Sequence, residues 1–144
     1  MSSVDQITEN DVVAAVCDYL EARGFKIKQR LTTRQQGDDI IAGRGDTTLF
    51  IEAKGATSAR AGSERFGRPF DSAQVRVHVA EAVYKAIQVL SRSNDRSNTR
   101  AAIALPANDV HDREVRTVMR MLQELKITVF WVRALNDVQE AAPD

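Results

Sequence analysis

Two β-prone segments, residues 38–43 and 49–54, flank the dipeptide Gly45–Asp46, and this pattern constrains the fold more than any other feature of the chain. Such segments on both sides of a two-residue turn predict a β-hairpin, and glycine in the first turn position favours a type II′ turn. With Gly45 and Asp46 at the centre, the numbers of directly opposed residues add up to 91, the sum of 45 and 46. Position 39 then faces position 52.

This register places three ionisable side chains on one face of the hairpin. Directly opposed residues of an antiparallel pair point to the same side, and so does the residue two positions further along a strand. Asp39, Glu52 and Lys54 therefore share one face. The other face receives the apolar residues Ile40, Ile51 and Ala53.

The rest of the pattern is that of one α/β domain over residues 1–133, followed by a C-terminal tail over residues 134–144. Outside the hairpin, the predicted elements are a helix from the N-cap Thr8 to near Gly24, a strand over 25–31 with one basic face, a helix over 72–90, a strand over 100–106, a helix over 109–125 and a strand over 127–132. Residues 34–37 are predicted as a turn and 55–71 as a long loop.

Composition limits the class of protein. The apolar runs are too short to span a bilayer, and the N-terminus has neither a basic start nor an apolar signal segment, so we expect a cytoplasmic protein without membrane contact. The single cysteine, Cys17, excludes an internal disulfide and a cysteine-rich zinc site. Because it lies in the apolar stripe of the first helix, we expect it to be a buried, inert thiol.

The net charge is zero, but the charges are unevenly distributed. Residues 22–100 carry 15 bases and 8 acids, a surplus of 7 positive charges, whereas residues 1–21 and 101–144 together carry 5 bases and 12 acids. A polyanion would be attracted to the middle of the chain if the folded surface keeps this asymmetry. The alternative is that these bases only keep the protein in solution.

Two carboxylates beside an ammonium group suit metal-assisted chemistry on a phosphodiester. Neighbouring carboxylates repel each other unless a cation lies between them, and hard oxygen ligands of this kind suit Mg²⁺, with Mn²⁺ as a substitute. Such a metal polarises a phosphodiester and lowers the pKa of an attacking water, which Lys54 would orient or deprotonate. The alternative is that Glu52 and Lys54 form an ordinary surface pair and that Asp39 is a turn residue.

Twelve residues separate Asp39 from the sequence Glu52-Ala53-Lys54. This spacing resembles the motif of the PD-(D/E)XK nuclease superfamily, in particular that of the Mrr-like restriction endonucleases and the small Holliday-junction resolvases. The resemblance covers residues 8–132, with Asp38 in place of the family's proline. It implies a restriction-endonuclease-like α-β-β-β-α-β core with a further α-β unit, and a mixed central sheet flanked by helices. It also implies Asp39, Glu52 and the Ala53 carbonyl as metal ligands and Lys54 as the catalytic lysine.

Further site residues are expected on the helices. Many members of the family add an acid from the first helix, and the sequence leaves Asp11 and Glu9 open, although Asp11 is also suited to cap that helix. RecB-type exonucleases carry Gln-x-x-x-Tyr on the helix after the lysine, and here the pattern is Gln74-x-x-x-His78. Gln74 would hydrogen-bond the metal-bound water or a phosphate, and His78 would contact phosphate. The alternative is a solvated helix face.

The loop after Lys54 is rich in arginine. Arg60, Arg65 and Arg68 carry guanidinium groups suited to phosphate contacts, so we expect this loop to bind nucleic acid. Alternatively, Phe66 and Phe70 pin an ordinary loop to the core. The second histidine, His111, is expected at the surface.

Taken together, these features predict a Mg²⁺-dependent endonuclease acting on nucleic acid, most readily DNA, as a homodimer or with a partner protein that supplies specificity. A different class of function is a catalytically silent module with the nuclease fold that binds nucleic acid or a partner protein. A third, a non-nucleolytic α/β domain, lacks the support of a Gly-rich phosphate loop or a Ser-His-acid set.

Overall fold

The structure is a computed structural model that describes residues 3–31, 37–57 and 68–141. A 3₁₀ turn (Ser3–Gln6) precedes the first helix. The elements that follow are α1 (Glu9–Glu21), β1 (Lys26–Arg30), β2 (Ile40–Arg44), β3 (Thr47–Ala53), α2 (Ser72–Arg92), β4 (Thr99–Pro106), α3 (Asp109–Arg116), α4 (Met119–Glu124), β5 (Thr128–Ala134) and β6 (Asp137–Ala141).

The six strands form one mixed sheet in the order β1-β2-β3-β4-β5-β6. Neighbouring strands are antiparallel except for β3–β4 and β4–β5, which are parallel and are connected through helices. The predicted architecture, an α-β-β-β-α-β core with a further α-β unit and a mixed sheet flanked by helices, is confirmed.

Each face of the sheet carries its own apolar core. On one face α1 packs its buried stripe, which includes Val12, Val16 and Leu20, against Ile40 and Ile51 of the hairpin. On the other face α2, α3 and α4 cover the strands. The buried residues of that second core are Val75, Val79, Ala82, Ala86, Val89, Leu90, Ala101, Ile103, Leu105, Val115, Leu122, Ile127 and Val129. The free thiol of Cys17 is buried in the first core, as expected.

The hairpin register is the one that the sequence predicts. Ile40 pairs with Ile51 and Arg44 with Thr47, so every recorded β2–β3 pair adds up to 91. Gly45 has φ +59°, whereas Asp46 is not among the residues with positive φ. This combination matches a type II′ turn.

Three details of the chain differ from the sequence prediction. The single helix expected over 109–125 is two helices, because Val118 leaves the helical region at φ −122° and ψ 1°. The β-branched Thr117 donates its hydroxyl to the Glu114 carbonyl (2.7 Å), a local bond that competes with helix continuation. The tail expected over 134–144 is also wrong in part, since Asp137–Ala141 forms the edge strand β6.

The apolar pattern of strand β6 is too faint to indicate a strand. Its residues alternate weakly, and only Val138 and Ala141 are half-buried. The backbone pairing with β5 holds β6 in place.

The third difference is the exposure of His111. This residue was expected at the surface but is buried with none of its surface exposed, because the first turn of α3 packs against α2.

Within the described ranges, no helix combines the length and the apolar character that crossing a bilayer would require.

Gly45→Ala tests the turn geometry. A methyl group at Gly45 would meet no atom within 4 Å, so the cost comes from the positive φ alone. We expect a loss of about 1–2 kcal/mol in the free energy of unfolding, measured by urea denaturation. Asp46→Ala is the matched control at the neighbouring turn position. Equal stability of the two variants would contradict the assigned turn.

Candidate active site

The hairpin brings Asp39, Glu52 and Lys54 together at one end of the sheet. Asp39 lies in the bend directly before β2, Glu52 is the penultimate residue of β3, and Lys54 follows β3. Asp39 is 7% and Glu52 8% exposed, and the Lys54 side chain is 15% exposed. Three ionisable groups with so little contact with water are an arrangement that ordinary surface pairs do not show.

Asp39 is held by the backbone of the opposite strand. Its Oδ2 accepts a hydrogen bond from the Ala53 N–H at 2.8 Å, and its own carbonyl accepts one from the Leu31 N–H at 2.8 Å. Because the N–H and C=O of one strand residue point to the same edge, the Ala53 carbonyl is directed to the Asp39 side as well. The backbone of three strands thus determines where this carboxylate lies.

The carboxyl groups of Asp39 and Glu52 interact with each other: Glu52 acts to lower the pKa of Asp39, and Asp39 acts to raise the pKa of Glu52. Burial first, and then the charge of Asp39, raises the pKa of Glu52 to about 8. Burial also raises the pKa of Asp39, against the hydrogen bond from Ala53. Among the described residues, Glu52 Oε2 is a buried oxygen without a hydrogen-bond partner. Such a pair favours a bound proton or cation.

A third acid, Glu9, comes from the first turn of α1. Burial, then the charge of Asp39, raises the pKa of Glu9 to about 7, whereas Lys54 and Lys85 act in the opposite direction. Asp11 is exposed and completes the capping box with Thr8 through bonds of 3.0 and 3.2 Å. Glu9, rather than Asp11, is therefore the α1 acid within electrostatic range of the site.

Gly55 explains how α1 reaches the end of β3. A Cβ at this position would overlap the backbone nitrogen of Glu9 and the carbonyl carbon of Thr8, so a larger residue would push the helix away. The next residue, Ala56, donates its N–H to the Ile7 carbonyl at 2.7 Å. The glycine that directly follows Lys54 was the only sequence signal for this contact, and sequence reasoning missed it.

Helix α2 lies along the other side of the site. Lys85 Nζ is 3.7 Å from Glu52 Oε2, and Glu81 Oε1 is 3.9 Å from Lys54 Nζ. Each lysine thus has an acidic neighbour on the opposite element. Lys85 lies eleven residues after Gln74 on the polar side of α2, and its pairing with Glu52 makes it a further residue of the site.

The side chain of Gln74 forms part of the N-terminal cap of α2. Its side-chain oxygen accepts the Asp71 N–H at 3.0 Å, and its own N–H donates to Asp71 Oδ1 at 2.9 Å, forming the capping box of α2. The oxygen expected to bind water or phosphate is therefore engaged in the helix cap.

The two histidines differ in burial, since His78 is half-buried and His111 has no exposed surface. His78 packs edge-on against Phe70 with ring centroids 4.6 Å apart, and burial, followed by the charge of Lys54, lowers its pKa. His111 Nδ1 is 2.7 Å from Asn108 Oδ1, and burial together with His78 lowers the pKa of His111 to about 4. Both imidazoles are consequently neutral at physiological pH. His78 is half-buried on the site side of α2.

Only the ends of the arginine-rich loop can be described. Arg60, Arg65 and Phe66 lie outside the described residues. Arg68 is exposed, and its carbonyl accepts the Thr57 hydroxyl at 2.6 Å, while Phe70 packs on the second core and donates its N–H to the Ala56 carbonyl at 2.9 Å. The two ends of the segment therefore meet next to Lys54.

The donor set suits a metal with few protein ligands. In the part of the chain that the structure describes, no group of three His, Cys, Asp or Glu residues is arranged to hold a metal. Mg²⁺ does not need one, since it is commonly bound by one or two carboxylates and keeps several waters. Glu52 Oε2, which has no hydrogen-bond partner and the Lys85 ammonium at 3.7 Å, fits this requirement together with Asp39.

Comparisons with known proteins give little guidance. No protein-family model matches the chain, and no curated protein matches it. Among solved structures, SfsA of Pyrococcus furiosus in complex with Ca²⁺ shows a weak similarity, with a TM-score of 0.39 and 14% identity over 92% of this chain. The chain spans 60% of the length of that protein. Function is therefore inferred from the side chains of the site.

The variant Glu52→Gln tests whether the ionised acid pair lowers the free energy of unfolding. The folded pKa of Glu52, about 8, lies above its ordinary 4.5. Protonated Glu52 therefore favours folding below pH 4.5, and this contribution is lost as the pH rises through 8. Without divalent metal at pH 9, we expect Glu52→Gln to be more stable than wild type by about 2–3 kcal/mol in urea denaturation, and the difference to shrink towards pH 5.

The control for this measurement is Glu124→Gln, which removes an exposed carboxylate on α4. Its stability should follow that of the wild type at every pH. A Glu52→Gln variant that is less stable than wild type at pH 9 would show that the ionised pair does not strain the fold.

Proposed function

We propose that this protein is a Mg²⁺-dependent nuclease that hydrolyses phosphodiester bonds, most readily as an endonuclease on DNA. The observation that carries the proposal is the buried Asp39–Glu52 carboxyl pair beside the half-buried Lys54. A protein keeps two mutually repelling acids out of water at a cost in stability, and a cation relieves that cost.

The roles of the residues follow from their positions. Asp39 and Glu52, with the Ala53 carbonyl, would hold Mg²⁺, and Mn²⁺ would substitute for it; Glu9 is near enough to interact with the same charge. When bound, Mg²⁺ would supply a Lewis acid for the phosphoryl oxygen and acidify water. Lys54 would orient the attacking water or stabilise the charge that develops on phosphate.

The α2 residues have supporting roles. Lys85 neutralises Glu52 and would be available to phosphate once a metal binds the pair. Gln74 sets the start of α2 through its cap, so we now assign it a positioning role in place of direct catalysis. His78 remains a candidate for phosphate contact, because it is half-buried close to Lys54.

Nucleic acid is the substrate class that the charge pattern favours. Lys26 and Lys28 are exposed on β1, and this strand ends beside Asp39 through the Leu31–Asp39 bond. Arg30 is also exposed, but the register shift between Ile27 and Gln29 places it opposite Ile40, on the α1 face. Arg68, with Arg60 and Arg65 expected to act alongside it, lies at the loop that follows Lys54. Cations on both sides of an acidic metal site are suited to guide a phosphate backbone across it.

The alternative is a silent module that binds nucleic acid or a partner protein without cutting. The ion pairs Lys85–Glu52 and Lys54–Glu81 favour it, because they neutralise the site internally. We further expect the protein to work in the cytoplasm, with specificity supplied by dimerisation or by a partner protein.

A cleavage assay separates the two functions. The substrates are supercoiled plasmid, linear duplex, branched DNA and RNA, each with Mg²⁺, Mn²⁺ or EDTA. We expect metal-dependent cutting of DNA that Lys54→Ala or Asp39→Asn reduces by about a hundredfold or more. Arg113→Ala, an exposed base on α3, is the control that should cut like wild type.

A second readout does not depend on turnover. Mg²⁺ or Mn²⁺ should raise the melting temperature of wild type and of Lys54→Ala, but not of Asp39→Asn or Glu52→Gln. Retained DNA binding with no cleavage of any substrate and no metal-dependent stabilisation would establish the silent module instead.

A further inference from the structure

Helix α2 has a second apolar stripe that does not face the core. Of the five large hydrophobic side chains exposed in the described part of the chain, three lie on this helix: Val77 at 56%, Tyr84 at 63% and Ile87 at 38%. The other two, Met121 and Leu135, lie on α4 and in the β5–β6 turn. Scattered exposed hydrophobics are normal, but several along one face of one helix suggest a binding surface.

The spacing of this stripe is that of a coiled-coil seam. It consists of Ala73, Val77, Ala80, Tyr84, Ile87 and Ser91, which follow one another at intervals of four, three, four, three and four residues. We call these six residues the outer stripe. Alternation of four and three is the heptad pattern with which one helix packs along another, and the 21 residues of α2 are enough for three heptads.

The outer stripe is opposite to the core. Val75, Ala82 and Val89, the centre of the buried face, occupy the heptad position farthest from the seam. The site residues His78 and Lys85 lie on the flank between the two faces. A partner helix can therefore cover the outer stripe without displacing α2 from the sheet or covering the carboxylates.

Charges on the two sides of the stripe indicate which partner fits. Arg76 is exposed on one side, in the heptad position g, and Glu81, whose side chain is 57% exposed, is on the other side, in position e. In a parallel pair of helices, a residue in g faces the residue five positions later in the partner. Arg76 and Glu81 are five positions apart. In a parallel pair of two copies, Arg76 of each helix would therefore face Glu81 of the other, which gives two contacts between opposite charges.

We propose that two copies of this chain associate through the outer stripe of α2, with the helices parallel about a two-fold axis. Tyr84 and Val77 form the centre of the contact, and Ala73 and Ala80 let the helices approach closely. Arg76 of each copy pairs with Glu81 of the other. An antiparallel pair would place the two arginine sides together and the two glutamate sides together, which the charges disfavour.

The association also affects the site. Glu81 Oε1 is 3.9 Å from Lys54 Nζ, so the partner's Arg76 would compete with Lys54 for Glu81 and leave the lysine available for substrate. This consequence rests on the proposed nuclease function. The association itself does not, and its oligomeric state is measured without substrate.

The first test is the molar mass in solution by light scattering on a size-exclusion column. We expect a dimer for wild type and a dissociation constant raised by tenfold or more, about 1.4 kcal/mol, for Tyr84→Glu. The matched controls are Met121→Glu and Leu135→Glu, whose apolar residues are 55% and 51% exposed but lie off the stripe. Both controls should remain dimeric, and circular dichroism checks that every variant is folded.

The second test uses the two charges. Arg76→Glu and Glu81→Arg should each weaken the homodimer, because each creates two like-charged contacts. An equimolar mixture of the two should form heterodimers, in which both contacts are again between opposite charges, and native mass spectrometry distinguishes them. The double variant Arg76→Glu/Glu81→Arg should dimerise like wild type.

A monomeric wild type, or a dimer that Tyr84→Glu leaves intact, overturns the proposal. A dimer that Tyr84→Glu disrupts but that the charge-swapped mixture does not restore overturns the parallel arrangement. A wild-type monomer whose outer stripe binds DNA or another protein would assign the surface to that occupant instead.

Discussion

The pairing of β2 with β3 is the contact on which the rest of the molecule depends. Its register, with Ile40 opposite Ile51, directs one set of side chains into the core under α1 and the other set towards α2. A slip of one residue would turn the side chains of the slipped strand to the opposite face, so Asp39 and Glu52 would no longer share a face and one of the two isoleucines would leave the core under α1. Core and site are thus specified by the same backbone hydrogen bonds.

The two faces of the hairpin contribute to the free energy of unfolding with opposite signs. Each fully buried isoleucine contributes about 1.5–3 kcal/mol through removal of apolar surface from water. On the other face, the rise in the pKa of Glu52 from 4.5 to about 8 means that ionising it in the folded protein costs a few kcal/mol. The apolar face offsets the acidic one, so the hairpin tolerates a site that is unfavourable without a cation.

Local sequence patterns predicted most of the fold. The turn dipeptide, the caps of α1 and the apolar stripes of α1 and α2 are all short-range signals, and the structure follows each of them. The failures arose where the deciding contacts are distant or local polar bonds compete. Strand β6 is held by its pairing with β5, and the break before Val118 accompanies a side-chain bond of Thr117. His111 is buried because α3 packs on α2, and the residue pattern of α3 alone does not predict this contact.

For the site, the local sequence pattern was enough to place Asp39, Glu52 and Lys54 on one face, because a two-residue turn and a period of two leave one register. The groups around these three residues depend on long-range packing, which no local pattern encodes. Glu9 lies within electrostatic range of the pair because Gly55 allows α1 to touch the end of β3, and Lys85 meets Glu52 because α2 crosses back over the sheet. These contacts join residues far apart in the chain, and their geometry depends on how helices pack on both faces of one sheet.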